Sequence, residues 1–393
     1  MFIERTLQKQ IKTAARKFPV LSVTGPRQSG KTTLLKSCFP KYPYYSLEEP
    51  DTFLRIKNDM RGFLEDNYKG VIIDEAQHLP ELFSYIQSVV DHHNKPGMFI
   101  LSGSQNFLLN MKIAQSLAGR IGVMRLFPLT FSELNSGIKT TADYRDVLLK
   151  GFFPRLHDRK IGTNLFYSSY IQTYVERDFR QLVNISDLSR FQLFLKLCAG
   201  RSGQILNLST LANDCGIAVN TAKSWLSNLE ATYTVFMLQP WLPNINKRLV
   251  KSPKLYFWDT GLLCYLLGIT NKESVEHYFM KGALLENLII ADIIKSFNHV
   301  VKQPPCYYWR DKMGNEIDLI IEKNMKLIPV EIKAGKTFNS DYLKHLLYFG
   351  KLPGLKTDKK FLIYNGRTMQ QGQGIPLLNW KDFLLNESEL LLK

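Results

Sequence analysis

The chain has 393 residues, 45% hydrophobic and 22% charged, a composition typical of soluble globular proteins with two or three domains. The five cysteines are widely spaced, which argues against a disulfide framework or a zinc ribbon and favours the reducing cytoplasm. No segment approaches the ~18 apolar residues of a membrane span, which argues against secretion and membrane insertion. The formal charge of +16 favours a polyanionic partner, most simply DNA or RNA, although many basic proteins have none.

A loop bounded by two glycines follows a short apolar strand near the start of the chain. Residues 25–32 read Gly-Pro-Arg-Gln-Ser-Gly-Lys-Thr and fit G-x-x-x-x-G-K-[ST] at every fixed position. The glycines let successive backbone N–H groups point at a phosphate, and the following helix adds the positive end of its dipole. Lys31 is then placed to reach the β- and γ-phosphates, and Thr32 to ligate Mg²⁺. An ordinary glycine-rich turn is the alternative. The residues expected to contact the nucleotide in this P-loop are Gly25, Pro26, Arg27, Gln28, Ser29, Gly30, Lys31, Thr32 and Thr33.

A continuous apolar run, residues 70–75, ends in Asp74 and Glu75. Such a run predicts a parallel strand buried on both faces, with the acids at the carboxyl end where α/β sheets bind ligands. Asp74 is then placed to hold Mg²⁺ through water, and Glu75 to polarise the attacking water as a general base. A pair of loop carboxylates without a catalytic role is the alternative, which the P-loop upstream disfavours.

Arg120 ends the segment Ser116-Leu117-Ala118-Gly119-Arg120, just before a strand predicted over residues 122–127. Its guanidinium is a planar charge suited to bracing phosphate oxygens in a transition state. Arg120 could act on the nucleotide of its own chain or of a neighbouring subunit, or could be a solvated surface arginine. The guanine-specific pattern N-K-x-D is missing, because residues 94–97 and 246–249 lack its aspartate, so the sequence favours adenine.

Helical patterns follow residues 127–134, with helices predicted over residues 167–179 and 190–199. Residues 209–230 then read as helix, glycine turn and helix, with Ser209 and Asn220 as expected caps and Gly216 at the turn. This segment resembles a winged helix-turn-helix, with residues 235–242 as the wing strand. Lys223 alone supplies a cation on the second helix, so packing or protein contact is as plausible a role as DNA reading.

A second group of charged residues lies on two strands near the C terminus. Residues 315–321 and 327–333 are joined by a short polar turn and predict an antiparallel pair, preceded by a helix over residues 282–294. Asp318, Glu331 and Lys333 then converge inside an apolar sheet, where a divalent cation would offset the cost of burying the acids. Lys333 would orient or deprotonate water for phosphodiester hydrolysis, with Glu286 as a further ligand. A structural salt bridge of Glu331 with Lys333 or Lys336 is the alternative.

These motifs together resemble known families over nearly the whole chain. Residues 25–32, 70–75, 117–120 and 127–129 resemble the prokaryotic AAA+ ATPases often described only as ATP-binding proteins. In such ATPases the strand over residues 98–105 lies between the P-loop strand and the strand of Asp74, and its polar end, here Ser104, senses the γ-phosphate. Residues 254–267, 282–290 and 330–336 resemble the domain of unknown function DUF4143. The pattern of Asp318 and Glu331-x-Lys333 is similar to the PD-(D/E)xK restriction-endonuclease-like fold, closest to its Holliday-junction-resolvase branch, with Ile317 in place of the usual proline.

The expected architecture is therefore an α/β chain in three parts. Residues 1–135 form a P-loop AAA+ domain with a parallel sheet, residues 136–271 a helical region with the winged helix-turn-helix, and residues 272–393 an α/β endonuclease-like domain. The leading interpretation is an ATPase, with ATP and Mg²⁺ as cofactors, coupled to a DNA-binding or DNA-processing module. The alternative is a slow ATP-dependent regulatory or defence switch whose other domains only bind partners. A homo-oligomer is left open.

Overall fold

The structure, a computed structural model, describes residues 3–104, 117–138, 143–159, 161–175, 188–244 and 251–387. Its N-terminal part is a five-stranded parallel sheet with the spatial order β2-β3-β4-β1-β5. β1, β3 and β4 are completely buried, as expected for apolar runs covered on both faces. The strands are β1 (Val20–Thr24), β2 (Tyr44–Ser46), β3 (Val71–Asp74), β4 (Phe99–Gly103) and β5 (Ile121–Arg125).

Helices cover both faces of this sheet. One face packs against the helices that flank the P-loop strand in sequence, through residues such as Leu7, Ile11 and Leu34. The other face packs against the three helices between β2 and β4, through residues such as Phe83 and Ile86. The predicted parallel P-loop sheet is confirmed. The helices are α1 (Leu7–Ala15), α2 (Lys31–Cys38), α3 (Pro50–Asn58), α4 (Met60–Asp66) and α5 (Leu82–His93).

The middle region is helical, with one antiparallel strand pair. Helices α11 (Leu208–Cys215) and α12 (Val219–Ala231) are joined by a turn at Gly216, whose φ of 66° suits glycine. The predicted caps are wrong: Asn207 caps α11, and Ala218 precedes α12 without a side-chain cap, because Ser209 and Asn220 lie inside the first turns. The winged helix-turn-helix stays a prediction. The elements are α6 (Phe131–Gly137), α7 (Tyr144–Lys150), α8 (Pro154–Asp158), α9 (Thr163–Tyr170), α10 (Leu188–Ala199), α11 (Leu208–Cys215), α12 (Val219–Ala231), β6 (Val235–Leu238), β7 (Lys254–Phe257), α13 (Thr260–Leu266) and α14 (Lys272–His277).

Several predicted segments extend beyond what the structure describes. The helix expected over residues 167–179 is seen as α9, continued by a π-helical turn at Ile171–Val175, and its remainder lies outside the described residues. Gln105, Ser116 and residues 246–249 also lie outside them.

The C-terminal part is a mixed six-stranded sheet with the order β12-β13-β11-β10-β9-β8. The predicted antiparallel pair is confirmed as β9 and β10, in a register that sets Val330 opposite Leu319. β10, β11 and β13 run parallel, and a long helix, α15, packs on the sheet. The elements are α15 (Lys281–His299), β8 (Cys306–Arg310), β9 (Glu316–Lys323), β10 (Lys326–Lys333), α16 (Lys344–Phe349), β11 (Phe361–Tyr364), β12 (Met369–Gly372), β13 (Ile375–Asn379) and α17 (Trp380–Asp382).

A single hydrophobic core joins the middle region to the C-terminal sheet. Its buried members run from Phe127 to Leu384, and α15 contributes Leu285, Ile289 and Ile293 to it. The boundary predicted between residues 271 and 272 therefore passes through a shared core. Over the residues that the structure describes, no helix is long and apolar enough to cross a membrane.

Candidate functional site

The P-loop adopts a conformation that requires its two glycines. Gly25 has a φ of +151°, and a Cβ there would lie 2.0 Å from the Leu126 carbonyl oxygen. Gly30 has a φ of +94° and precedes α2, whose first turn has no side-chain cap. The amides at this helix start are therefore not used by a cap and suit a phosphate.

Lys31 is folded back onto the loop that it follows. Its ammonium is buried and donates hydrogen bonds to the carbonyl oxygens of Gly25 (2.9 Å) and Pro26 (3.0 Å). These bonds hold the positive charge over the centre of the loop, where the phosphates of a nucleotide would lie.

Thr32 and Asp74 meet as the sequence predicted. The Thr32 hydroxyl donates to Asp74 Oδ2 at 2.7 Å, Tyr44 donates to the same oxygen at 2.7 Å, and Ser102 donates to Oδ1. Burial alone would raise the pKa of Asp74. The three hydrogen bonds together lower it by more than burial raises it, so the pKa of Asp74 lies below the usual value. A hydroxyl beside an ionised carboxylate fits Mg²⁺, which prefers oxygen ligands and retains water.

Glu75 directly follows Asp74 at the end of β3. Its φ of 52° is unusual for a residue with a side chain and is typical of backbone held in place at functional sites. Its Oε2 accepts hydrogen bonds from the Ser104 amide and hydroxyl, both at 3.1 Å, and from Gln77. β4 lies between β1 and β3, so Ser104 reaches the carboxyl edge of the sheet beside Glu75.

Arg120 lies at the opposite edge of the sheet from the P-loop. Parallel pairing sets Val20 beside Ile121 and Thr24 beside Arg125, so the length of a five-residue strand, about 16 Å, separates Arg120 from the loop. Its guanidinium forms an exposed bidentate ion pair with Asp91 (2.5 and 3.2 Å). The structure therefore does not bring Arg120 to the P-loop of its own chain, and a catalytic role for Arg120 stays a prediction.

A cleft of about 640 Å³ opens over the P-loop and is also lined by the middle region. α8 also lines this cleft, which sequence reasoning missed. Its Pro154 lies near Gly30. Arg155 and Arg159, four positions apart, line the same wall. The only sequence signal for this wall is a pair of arginines at helical spacing. The residues lining the cleft are Ile3, Arg5, Arg27, Gln28, Gly30, Lys31, Thr32, Thr33, Leu34, Glu75, Leu129, Pro154, Arg155, Asp158 and Arg159.

Arg5, also missed from the sequence, ties the P-loop to the rest of the protein. Its buried guanidinium donates to the carbonyl oxygens of Ser29 (2.9 Å) and Phe127 (2.6 Å) and pairs with Glu133 (3.1 Å). Glu133 also faces His299 of α15 at 3.5 Å. Burial raises the pKa of Glu133, but Arg5 and His299 lower it well below its usual range. A buried network of charged and polar side chains thus links the P-loop to α15.

Asp318, Glu331 and Lys333 come together in the C-terminal sheet. The Lys333 ammonium lies 2.6 Å from Glu331 Oε1 and 3.8 Å from Asp318 Oδ2, and the Ile332 amide donates to Asp318 at 2.8 Å. Burial and the neighbouring Asp318 raise the pKa of Glu331 to about 8. His345, not predicted from the sequence, lies 3.8 Å from Glu331. The contact between Lys333 and Glu331 that the salt-bridge interpretation requires is therefore present.

Glu286 forms an ion pair and a hydrogen bond with residues of the middle region. Lys254, at 2% exposure, lies 3.0 Å from Glu286 and 2.5 Å from Glu316, and the Tyr256 hydroxyl donates to Glu286. Within the described ranges, no group of three or more His, Cys, Asp and Glu residues is arranged to hold a metal ion. The set of Glu286, Asp318 and Glu331 as metal ligands stays a prediction.

Three domain models match successive parts of the chain. Residues 17–135 match the AAA domain, residues 141–273 the domain of unknown function DUF8612, and residues 281–383 the domain of unknown function DUF4143. The AAA match covers the P-loop, Asp74 and Glu75, and supports ATP binding and hydrolysis.

A relative that matches most of the chain shows the family. The uncharacterized protein Rv2008c of Mycobacterium tuberculosis is 32% identical over 341 residues, which cover 86% of this chain and 75% of the relative. The chain belongs to the same family as Rv2008c. The uncharacterized protein MJ1544 of Methanocaldococcus jannaschii is also similar, at 23% identity over 393 residues, which cover 91% of this chain and 84% of the relative.

Solved structures align less closely. The Walker-type ATPase paby2304 of Pyrococcus abyssi has a TM-score of 0.48 at 15% identity, covering 67% of this chain and 96% of that chain. AMPPCP-bound DnaA from Aquifex aeolicus has a TM-score of 0.30 at 14% identity, covering 57% of this chain and 85% of that chain. Neither adds to what the domain match supports.

Proposed function

We propose that this protein is a Mg²⁺-dependent ATPase that couples its nucleotide state to DNA binding or processing through its C-terminal domain. The observation that supports the ATPase part is the meeting of the P-loop, the Thr32–Asp74 pair and the Glu75–Ser104 pair at one edge of the sheet, beside one cleft. The AAA match over residues 17–135 supports the same chemistry.

Each side chain then has a role in hydrolysis. Lys31 releases the loop carbonyls and binds the β- and γ-phosphates of ATP. Thr32 and Asp74 are the residues that would hold Mg²⁺, whose charge offsets that of the phosphates. Glu75 polarises the water that attacks the γ-phosphorus, and Ser104 keeps the carboxylate in position. The terminal phosphoanhydride bond breaks, and ADP and phosphate leave.

The coupling part follows from what surrounds the cleft. A nucleotide on the P-loop would also touch α8, which belongs to the middle region. Arg5 holds the Ser29 carbonyl on one side and Glu133, beside α15, on the other. A change of P-loop conformation on hydrolysis would therefore be transmitted to the shared core of the middle and C-terminal regions.

The finer proposal is that the C-terminal domain processes DNA. Asp318 and Glu331 would hold a divalent ion, and Lys333 would orient the attacking water. Glu331 Oε2 is buried and, among the described residues, has no hydrogen-bond partner, so it is available to a cation.

A second candidate function is an ATP-dependent switch whose C-terminal domain only binds partners. Lys254 favours it, because this buried ammonium already pairs with Glu286 and Glu316. Burial alone would lower the pKa of Lys254, but the surrounding carboxylates raise it well above its usual value. Lys333 pairs with Glu331 as well, so three of these carboxylates already have a cation of the protein as partner without a metal.

Two assays on the full chain separate these candidates. ATP turnover is measured with and without DNA: the coupled ATPase predicts stimulation of several-fold, and a switch predicts slow turnover that DNA leaves unchanged. Cleavage of branched, single-stranded and duplex DNA is then measured with Mg²⁺ or Mn²⁺ for the wild type and Lys333→Ala. Cleavage by the wild type alone supports the nuclease. No cleavage by either protein leaves Glu331 and Lys333 as a structural ion pair.

A further inference from the structure

We infer that the groove between α1 and α6 binds the phosphate backbone of DNA. The inference rests on the proposed function in one respect, which is that DNA is the partner. It places the contact away from the helix-turn-helix segment, on the surface next to the P-loop.

A stripe of cations runs along one side of the groove. Lys9, Lys12 and Arg16 are spaced three and four positions apart, so they share one face of α1 and its end, separated by about 4.5 and 6 Å along the helix axis. All three are exposed, and none forms an ion pair with any residue that the structure describes. Three uncompensated positive charges in a row match a backbone that carries a charge at every nucleotide.

The groove has the shape and lining for a backbone and not for a membrane. It holds about 650 Å³, and its far wall is formed by Ser132 and Ser136 of α6. Thr6, Gln8 and Thr13 also line it, together with the buried pair of Arg5 and Glu133. Glu4, at the rim, is the one exposed carboxylate that lines it.

A membrane-surface helix would need its apolar face free. On α1 that face is already buried, because Leu7 and Ile11 are completely covered by the sheet domain. The cations therefore present charge and hydrogen bonds without an apolar surface to insert between lipids. An anionic polymer lying in the groove is the occupant that fits.

Two other parts of the chain that carry exposed lysines serve for comparison. The second helix of the helix-turn-helix segment carries Lys223 as its one cation. Lys326, Lys356 and Lys359 gather at one end of the C-terminal sheet, where the β9–β10 turn and the strand β10 meet the segment before β11. This second cluster makes a matched comparison of equal charge.

The groove is also close to the P-loop clamp. Arg5 lies one turn before Lys9 and donates to the Ser29 carbonyl, and the Thr6 amide donates to Glu133 at 2.7 Å. A DNA backbone bound to α1 would therefore contact the helix that directly follows Arg5 and Thr6, the residues that hold the P-loop and Glu133. These contacts connect the proposed DNA surface to the ATPase site.

The test is binding of a fluorescent 20-base-pair DNA duplex to the full chain at several salt concentrations. Lys9→Ala/Lys12→Ala/Arg16→Ala should reduce the magnitude of the slope of log K against log salt by about 2.7, since each phosphate contact contributes about 0.9. Between 50 and 200 mM salt, the three contacts should account for about 40-fold of the affinity lost by the wild type. Lys326→Ala/Lys356→Ala/Lys359→Ala should leave the slope at the wild-type value, and Lys12→Ala alone should lower it by about 0.9 if the triple variant is unstable.

Three outcomes would overturn the inference: an unchanged slope in the α1 variant, a loss confined to the Lys326 cluster variant, or α1-dependent binding to phosphatidylserine vesicles without binding to the duplex. ATP turnover without DNA is measured on the same proteins and should be equal in both triple variants and the wild type. DNA binding through α1 in a protein without turnover would reject the proposed ATPase and leave this surface standing.

Discussion

Replacing Arg5 with methionine should weaken both the fold and nucleotide binding. Arg5 and Glu133 are 5% and 3% exposed, and the guanidinium also serves the carbonyls of Ser29 and Phe127. Removing one partner of a buried ion pair leaves an uncompensated charge and costs about 3–5 kcal/mol of unfolding free energy. The released Ser29 carbonyl should also loosen the P-loop and lower the affinity for ATP.

Urea unfolding without nucleotide measures the first effect, and titration with a fluorescent ATP analogue measures the second. Lys12→Met, an exposed change on α1, the helix that follows Arg5, should alter the unfolding free energy by no more than about 0.5 kcal/mol. In Arg5→Met/Glu133→Gln the buried charge is gone, so the double variant should be more stable than the sum of the single changes predicts, by about 1–3 kcal/mol. A loss below about 1 kcal/mol in Arg5→Met, or strict additivity, would refute the assigned role of this pair.

Two further predictions concern the loop and the C-terminal acids. Gly25→Ala should abolish ATP-analogue binding, because its Cβ would meet the Leu126 carbonyl at 2.0 Å, whereas Gly162→Ala, with no atom within 4 Å, should bind normally. The pKa of Glu331, raised from 4.5 to about 8, means that the folded protein holds this proton more tightly than the unfolded chain does, so its contribution to stability is full below pH 4.5 and is lost as the pH rises to about 8. Glu331→Gln should therefore flatten the pH dependence of urea unfolding and be more stable than the wild type at pH 8, by about 1–3 kcal/mol; a parallel pH profile would contradict this.

The sequence predicted those parts of the site whose functional residues are neighbours along the chain. The P-loop and the Asp74–Glu75 pair each occupy a few neighbouring positions, and the parallel strands that carry them end at one edge by the geometry of the fold. The meeting of Thr32 with Asp74 could therefore be predicted from two short motifs.

The missed residues come from segments that carry little local signature. Arg5 and Arg155 reach the cleft only because α8 and the segment before α1 pack beside the P-loop. Nothing beside Arg5 in the sequence marks it, and the only signal for Arg155 is its helical spacing from Arg159. Lys254 is similar, since its contact with Glu286 depends on how the middle region docks on α15. Arg120 was assigned from its residue type, but strand direction decides which edge of the sheet it occupies, and that edge is the far one.

The most direct test of the ATPase is phosphate release from ATP by the wild type, Lys31→Ala and Glu75→Gln. Nucleotide binding is measured on the same samples. Lys57→Ala, an exposed change on α3, is the control. The wild type and the control should release phosphate in a Mg²⁺-dependent manner. Lys31→Ala should neither bind nor turn over, because the ammonium that meets the phosphates is gone, and Glu75→Gln should bind ATP and release almost no phosphate. Turnover by Glu75→Gln at the wild-type rate, or by Lys31→Ala at any rate near it, would contradict hydrolysis at this site.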